Sequence, residues 1–536
     1  MTAQVRGRGR ATAVILASMI ALAGCTSEPD KPAGGAGGVV RVQSVEPQNP
    51  LVPGDTAEVA GEEIVRLVFS GLVYYDENGE AHNDAADSIT TDDGSNYLIT
   101  LRKGLAFSSG ERVTSASFVD AWNFTARLSN GMKQADAFHN VAGYDATADS
   151  ELTGLTVIDD TRFSVALTSP VADFAQQLGS SAFFPLPSEA YADLAAFGQN
   201  PVGNGPYRLA GPDAWEHGRQ IELDVNADYS GPRTPKNSGV TFAVYLQLEA
   251  AYRDVQAGDI DVLRQIPPSA MDSYGSDFPA SHTNQPSAVL ARLGFPSGLP
   301  HFGGQEGVLR RRAISLAIDR DEISTVLFGG TISPATGFVS PAIVGAPTEL
   351  RGSEYLEHDA ARAAELWRQA DALAPWSGTL PIAYNADGGH RDWVDAVANQ
   401  LRGTLGVDVQ GSPVPSFAQL RQQIADGSVG GAFRISFGAT YPSVLGALEP
   451  VFATGARIND VGYANPEFDA SVTAASAERD ESVRQVRLAQ AQRILLQDLP
   501  QIPLWYQNTT AVWSPDLHGV TLGWDGLPAY WAIVRD

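Results

Sequence analysis

Six stretches of the chain place apolar residues at helical spacing, and short runs between them alternate as strands do. The first spans Ala57 to Phe69, with Ile64, Val65, Val68 and Phe69 on one face. The second spans Thr114 to Arg127, where Thr114 or Ser115 supplies an N-cap oxygen. Arg310 to Leu327 turns Ile314, Ala317, Ile318 and Ile323 inward, and Asp359 to Ala372 does so with Ala360, Ala363, Ala364 and Trp367. Trp393 to Leu405 and Ser482 to Leu499 complete the set. Strands are predicted at Val39 to Val42, Leu72 to Tyr75 and Asn96 to Leu101. Asp76-Glu77-Asn78-Gly79 is a turn, with Asn-Gly supplying positive φ. Val262 to Pro300 carries several breakers and is a candidate crossing between lobes. Helices alternating with short strands define an α/β chain. No period of about 20–50 residues recurs, which excludes a solenoid or propeller.

The N-terminus changes the picture first. Arg6, Arg8 and Arg10 precede an apolar run from Ala11 to Ala23, and Leu22-Ala23-Gly24-Cys25 closes it. That is a secretory signal over residues 1–24, too short to span a bilayer alone. Its ending resembles a bacterial lipobox, which implies a lipidated Cys25 at the mature N-terminus and an address on the outer face of the cytoplasmic membrane. Thr26 to Gly38, TSEPDKPAGGAGG, has nothing to bury and is expected to be a tether. Cys25 is the chain's single cysteine, so disulfides, thiolate catalysis and cysteine-based metal sites are excluded.

Length and charge then bound the function. The 536 residues call for two or three domains. The signal carries three of the 36 basic residues and none of the 62 acidic ones, which leaves the mature chain at −29. Such a surface argues against nucleic acid and against lying flat on anionic lipid. The eight histidines are scattered, with no HxxxH or HExxH spacing. No GxSxG elbow, SxxK motif or Walker loop occurs, so no enzyme class is supported and no cofactor is expected. Trp367, Trp376, Trp393, Trp505, Trp513, Trp524 and Trp531 lie in helical or strand patterns and read as core.

Five ordered blocks carry a resemblance. They are Phe69-Ser-Gly-Leu-Val-Tyr-Tyr-Asp76; Leu101-Arg-Lys-Gly-Leu-Ala-Phe-Ser-Ser-Gly-Glu111 leading into Phe118 to Trp122; Pro201-Val-Gly-Asn-Gly-Pro-Tyr207; Gln256 to Val262; and Arg311 to Arg320. Together they resemble family 5 of the extracellular solute-binding proteins, the dipeptide- and oligopeptide-binding receptors of ABC importers. Most of the blocks read as scaffold. Asp319-Arg320, for example, is suited to cap and brace the helix before it. The resemblance implies a two-lobed periplasmic-binding-protein-like fold (type II, with an extra subdomain in the first lobe). It divides the chain into a lobe I core (39–70, 200–290 and 505–536), an extra subdomain (71–199) and a far lobe (291–504). The implied partners are a peptide or other small solute and the ABC permease with its ATPases. The receptor is expected to be a monomer.

The resemblance also locates the ligand. Arg434-Ile-Ser-Phe437-Gly-Ala-Thr440-Tyr441-Pro442 matches the family's most informative stretch. There the position of Arg434 implies an arginine near the ligand carboxylate, and Phe437 stands where Trp is usual. Thr440 stands where an aspartate typically binds the ligand's α-ammonium, and Ser443 where an acid is common. Val59 and Ala60, after Glu58, align with a segment that meets peptide backbone. Three readings stay open: another acid anchors the ammonium, the ligand is a longer or blocked peptide, or the ligand is a haem, metal complex or sugar. A surface hydrolase and an envelope chaperone are the rivals from other classes.

Overall fold

The computed structural model describes residues 37–347, 349–456 and 458–536. The signal peptide, Cys25 and all but the end of the tether lie outside them. The body begins two residues before the predicted strand, because Gly37–Ser44 runs parallel to Asn237–Val244 from Gly37↔Asn237 onward. A Cβ on Gly37 would stand 3.0 Å from the Lys236 carbonyl oxygen, so glycine lets the two strands close at this end.

One sheet of twelve strands runs through the molecule. Its first half surrounds Gly37–Ser44 with the strands Asn237–Val244, Gln220–Val225, Tyr207–Leu209 and Val262–Leu263. Its second half is built on Thr379–Asn385, Asp408–Val414 and Ala432–Gly438. Two strands of 13 residues join the halves, His282–Gly294 and Gln501–Trp513, paired antiparallel. His282 to Pro286 pair with Val512 to Asn508 on one side, and Leu290 to Gly294 with Tyr506 to Gln501 on the other. The register shifts between Pro286 and Leu290, where proline removes a ladder donor. Two chain crossings with a break in register at the same level form the connection between the lobes. The break is tied down locally: Ala288 N–H donates to the Trp524 carbonyl (3.0 Å), and Ser340 Oγ donates to the Ser287 carbonyl (2.7 Å).

A separate antiparallel sheet of four strands comprises Ala86–Thr91, Asn96–Leu101, Arg162–Ala166 and Leu155–Asp159, in that spatial order. The helix Ser115–Ala126 packs on it through Trp122, whose ring meets Phe138, Phe163 and Phe183 at 5.1–5.9 Å. Thr114 is its N-cap, and the Ser117 hydroxyl accepts from the Thr114 N–H at 3.1 Å. The first predicted helix is Val59–Val68, two residues late at its start because Glu58 caps it by accepting from Gly61 N–H (2.7 Å).

The single helix expected over Arg310 to Leu327 is two, Gly304–Ala317 and Arg320–Phe328. Asp319 caps the second helix rather than the first, accepting from Glu322 N–H at 2.9 Å. Both helices bury their apolar faces in the same core, so the spacing reads through the break. Arg320 does brace the junction. Its buried guanidinium donates to the carbonyls of Ser315, Ile318, Leu356 and Pro503, and burial lowers its pKa to about 9.

Candidate ligand-binding site

In the second half of the sheet, alternation decides where the side chains of Ala432–Gly438 go. Phe433, Ile435 and Phe437 take one face, Arg434 and Ser436 the other. Arg434 stands opposite Leu293, and Ser436 opposite Ala291. On the far edge, Thr379–Asn385 pairs with this strand only through Ile382↔Ala432 and Ala383↔Phe433. Beyond Asn385 the chain leaves the sheet, turning at Gly389 (φ 68) into the helix Arg391–Leu405. Among the described residues, the edge from Arg434 to Gly438 is therefore left without a strand partner on that side.

A cavity of about 300 Å³ opens beside this edge, between the sheet and the helices Arg320–Phe328 and Arg391–Leu405. Arg434, Ser436, His390, Trp393, Trp505 and Asn508 contribute to its wall, and none of the residues lining it is acidic. Arg434 is half-buried. It donates to Asn385 Oδ1 (3.2 Å) and Ser436 Oγ (3.4 Å), and its guanidinium lies 5.8 Å from the Phe417 ring. Burial lowers its pKa, opposed by Asp387, yet no carboxylate among the described residues pairs with it within 4.0 Å. His390 is held down to about 4, by burial first and by Arg434 second. Its Nδ1 accepts from Trp393 Nε1–H at 3.2 Å, which puts the proton of the neutral ring on Nε2.

The other expected residues lie apart from this cavity. Phe437 is on the opposite face, its ring 6.0 Å from the guanidinium of buried Arg292. Thr440 is exposed just past the strand. Tyr441 points into a contact with the four-stranded subdomain, where its hydroxyl accepts from Gln177 Nε2 (3.2 Å) and burial pushes its pKa well up. In the same contact Gln176 Nε2 donates to the Pro442 carbonyl (2.5 Å), and Ser443 Oγ donates to Asp173 Oδ2 (2.6 Å). Burial raises the pKa of Asp173, and burial followed by Asp173 raises that of Glu449 to about 7. Val59, 64% exposed, and Ala60, buried, start the first helix and do not line the cavity.

Sequence reasoning missed Asn385, which ends the strand Thr379–Asn385 and accepts from Arg434, and His390 in the turn that follows, neither of which sits in a distinguishing pattern. It also missed Asp173, which meets Ser443 across 270 positions. Trp393 and Trp505 are buried, as a core reading requires, and they wall the cavity as well. Asp76, Glu80 and His82 are the only described group whose ligand atoms cluster as a metal site would. The Asp76 carboxylate already accepts from the Asn78 and Glu80 amides within its turn.

Two lobes joined by two crossing strands, with a subdomain added to the first, define a solute-binding protein of the periplasmic type. The model of bacterial extracellular solute-binding proteins, family 5 Middle, matches residues 80–458. Oligopeptide-binding protein OppA of Bacillus subtilis (strain 168) is 24% identical over 492 residues, covering 88% of each chain. The probable deoxycholate-binding periplasmic protein YgiS of Escherichia coli (strain K12) is 26% identical over 490 residues, again 88% of each. Among solved structures, the periplasmic murein tripeptide binding protein MppA in its unliganded open form superposes with a TM-score of 0.79 at 22% identity, over 94% of this chain and 99% of that one. The chain belongs to family 5 of the bacterial extracellular solute-binding proteins. Among the described residues no helix is long and apolar enough to cross a membrane.

Proposed function

We propose that this chain is a lipid-anchored receptor of an ABC importer, which captures peptides between its lobes and delivers them to the permease without turning them over. The observation that carries the reading is the unpartnered edge Arg434 to Gly438, set beside a cavity with cationic and neutral donors and no acid. A peptide laid along that edge satisfies its own backbone and the strand's together, as in β-strand addition. Arg434 then pairs with the ligand's carboxylate, and ligand contact with both lobes favours the closed form. OppA and MppA, both named for peptide ligands, support the assignment. So does the lack of any nucleophile–base pair in the sequence motifs.

A carboxylate-bearing ligand that is not a peptide is the second reading. Thr440 favours it, because it offers no counter-charge to an ammonium, and YgiS shows that a relative of similar length carries a bile-acid name. Native mass spectrometry of gently purified residues 26–536 separates the two. Retained adducts that fragment into peptides support the first reading. A single non-peptide adduct would overturn it and leave the importer role in place.

A further inference from the structure

We propose that the cavity beside Arg434 is a specificity pocket for a terminal residue bearing both a free carboxylate and a large apolar side chain, so that the receptor selects peptides ending in aromatic or large aliphatic residues. This rests on the peptide reading above and names the part of the ligand that the cavity sorts.

Two features of the cavity lead there. The first is its apolar wall: Phe328, Ile332, Trp393 and Trp505. Trp393 and Trp505 meet edge to face at 5.1 Å, and Phe328 lies 5.6 Å from Trp505. Trp505 is 3% exposed and contributes its ring to the wall. The second is its pair of donors without an acidic partner, His390 and Arg434. His390 Nδ1 accepts from the Trp393 indole N–H, which leaves Nε2–H as the ring's donor, and among the described residues no carboxylate lies within 4.0 Å of Arg434. A guanidinium without an acidic partner favours an anionic acceptor here. No acidic residue lines the wall, and Asp387, the nearest carboxylate acting on Arg434, lies outside it.

Size completes the case. A carboxylate alone would leave most of the roughly 300 Å³ empty. One large apolar side chain packed against the tryptophans fills the space left by a carboxylate held at Arg434. An acidic or basic side chain would lose its hydration there.

The test is titration calorimetry on the purified processed chain with alanine peptides of two to five residues that differ only in the last residue: Ala, Leu, Phe, Glu or Lys. Leu and Phe are expected to bind about 10–100-fold more tightly than Ala, from burial of the added apolar surface. Glu and Lys are expected to bind no better than Ala. Trp393→Ala should narrow the Phe-to-Ala ratio, and the native series stands without that variant if it folds poorly. Equal affinity across last residues would overturn the pocket while leaving a peptide receptor. Binding of none of the peptides would overturn the peptide reading and the pocket with it.

Discussion

Glu449→Gln probes the acidic contact between the subdomain and the second lobe. Glu449 lies in the helix Val444–Phe452, capped by Ser443, whose hydroxyl also donates to Asp173. Burial and then the neighbouring Asp173 carboxylate raise the Glu449 pKa to about 7. For an acid raised in the folded state, the native protein holds the extra proton between its unfolded and folded pKa values. Stability is then complete below about pH 4.5 and falls as pH rises through about 7. A rise from 4.5 to about 7 corresponds to about 3 kcal/mol, and partial exposure of the carboxyl reduces this to about 1–2 kcal/mol. Glu449→Gln removes the ionisation. We expect it to gain about 1–2 kcal/mol over the wild type at pH 8 relative to the same comparison at pH 4.5. Urea unfolding followed by tryptophan fluorescence at both pH values measures the difference. A constant offset from lost packing is immaterial, because the pH slope is the test. An offset identical at the two pH values, or a wild type that gains on the variant as pH rises, refutes the reasoning.

Arg434→Ala should weaken binding of the captured peptide by about 2–5 kcal/mol with the circular dichroism spectrum unchanged, since a charged pair loses one partner; calorimetry with unchanged affinity would sink the ligand role. Arg320→Ala should lower stability by more than about 3 kcal/mol, because several buried carbonyls lose their donor at once, and a native-like urea midpoint would contradict that. Cys25→Ser should move the protein from the membrane fraction to the soluble fraction on cell fractionation. Retention at the membrane would remove the case for a lipid anchor.

Local elements were legible where one short segment settles its own fate. Asn96–Leu101 has the predicted bounds, and Asp359 caps Ala360–Leu373 one residue from the expected start. The break at Asp319 was hidden because two helices on one core share a period, and only the cap distinguishes them. The site divides in the same way. Arg434 and Ser436 belong to one strand and one motif. His390, Trp393 and Trp505 reach the cavity only because a loop, a helix and a crossing strand converge on it, and nothing in their own neighbourhoods marks that meeting. Asp173 and Ser443 come together across 270 positions of chain, which no local pattern encodes.

That last pairing bears on which end of the ligand is held by charge. The family pattern implies an acid at position 440 for the ligand ammonium, and this chain has Thr440 there, exposed and neutral. Asp173 is near in the fold, but it is 4% exposed, bonded to Ser443, and shifted by burial toward its neutral form. An ammonium would have to displace the Ser443 bond and be desolvated itself to reach it, so Asp173 is a structural acid of the contact and not a counter-charge in the cleft. The carboxylate end meets the opposite situation, with no carboxylate within 4.0 Å of Arg434 among the described residues and the neutral His390 ring lining the same cavity. The receptor should therefore read one charged end only. Acetylating the ligand's amino terminus is expected to change its affinity less than about threefold, while amidating its carboxyl terminus costs about 2–5 kcal/mol. Competition titrations with the two blocked forms of one peptide decide the matter, and an acetylated form that loses as much as the amide would mean that an acid of the cleft holds the ammonium after all.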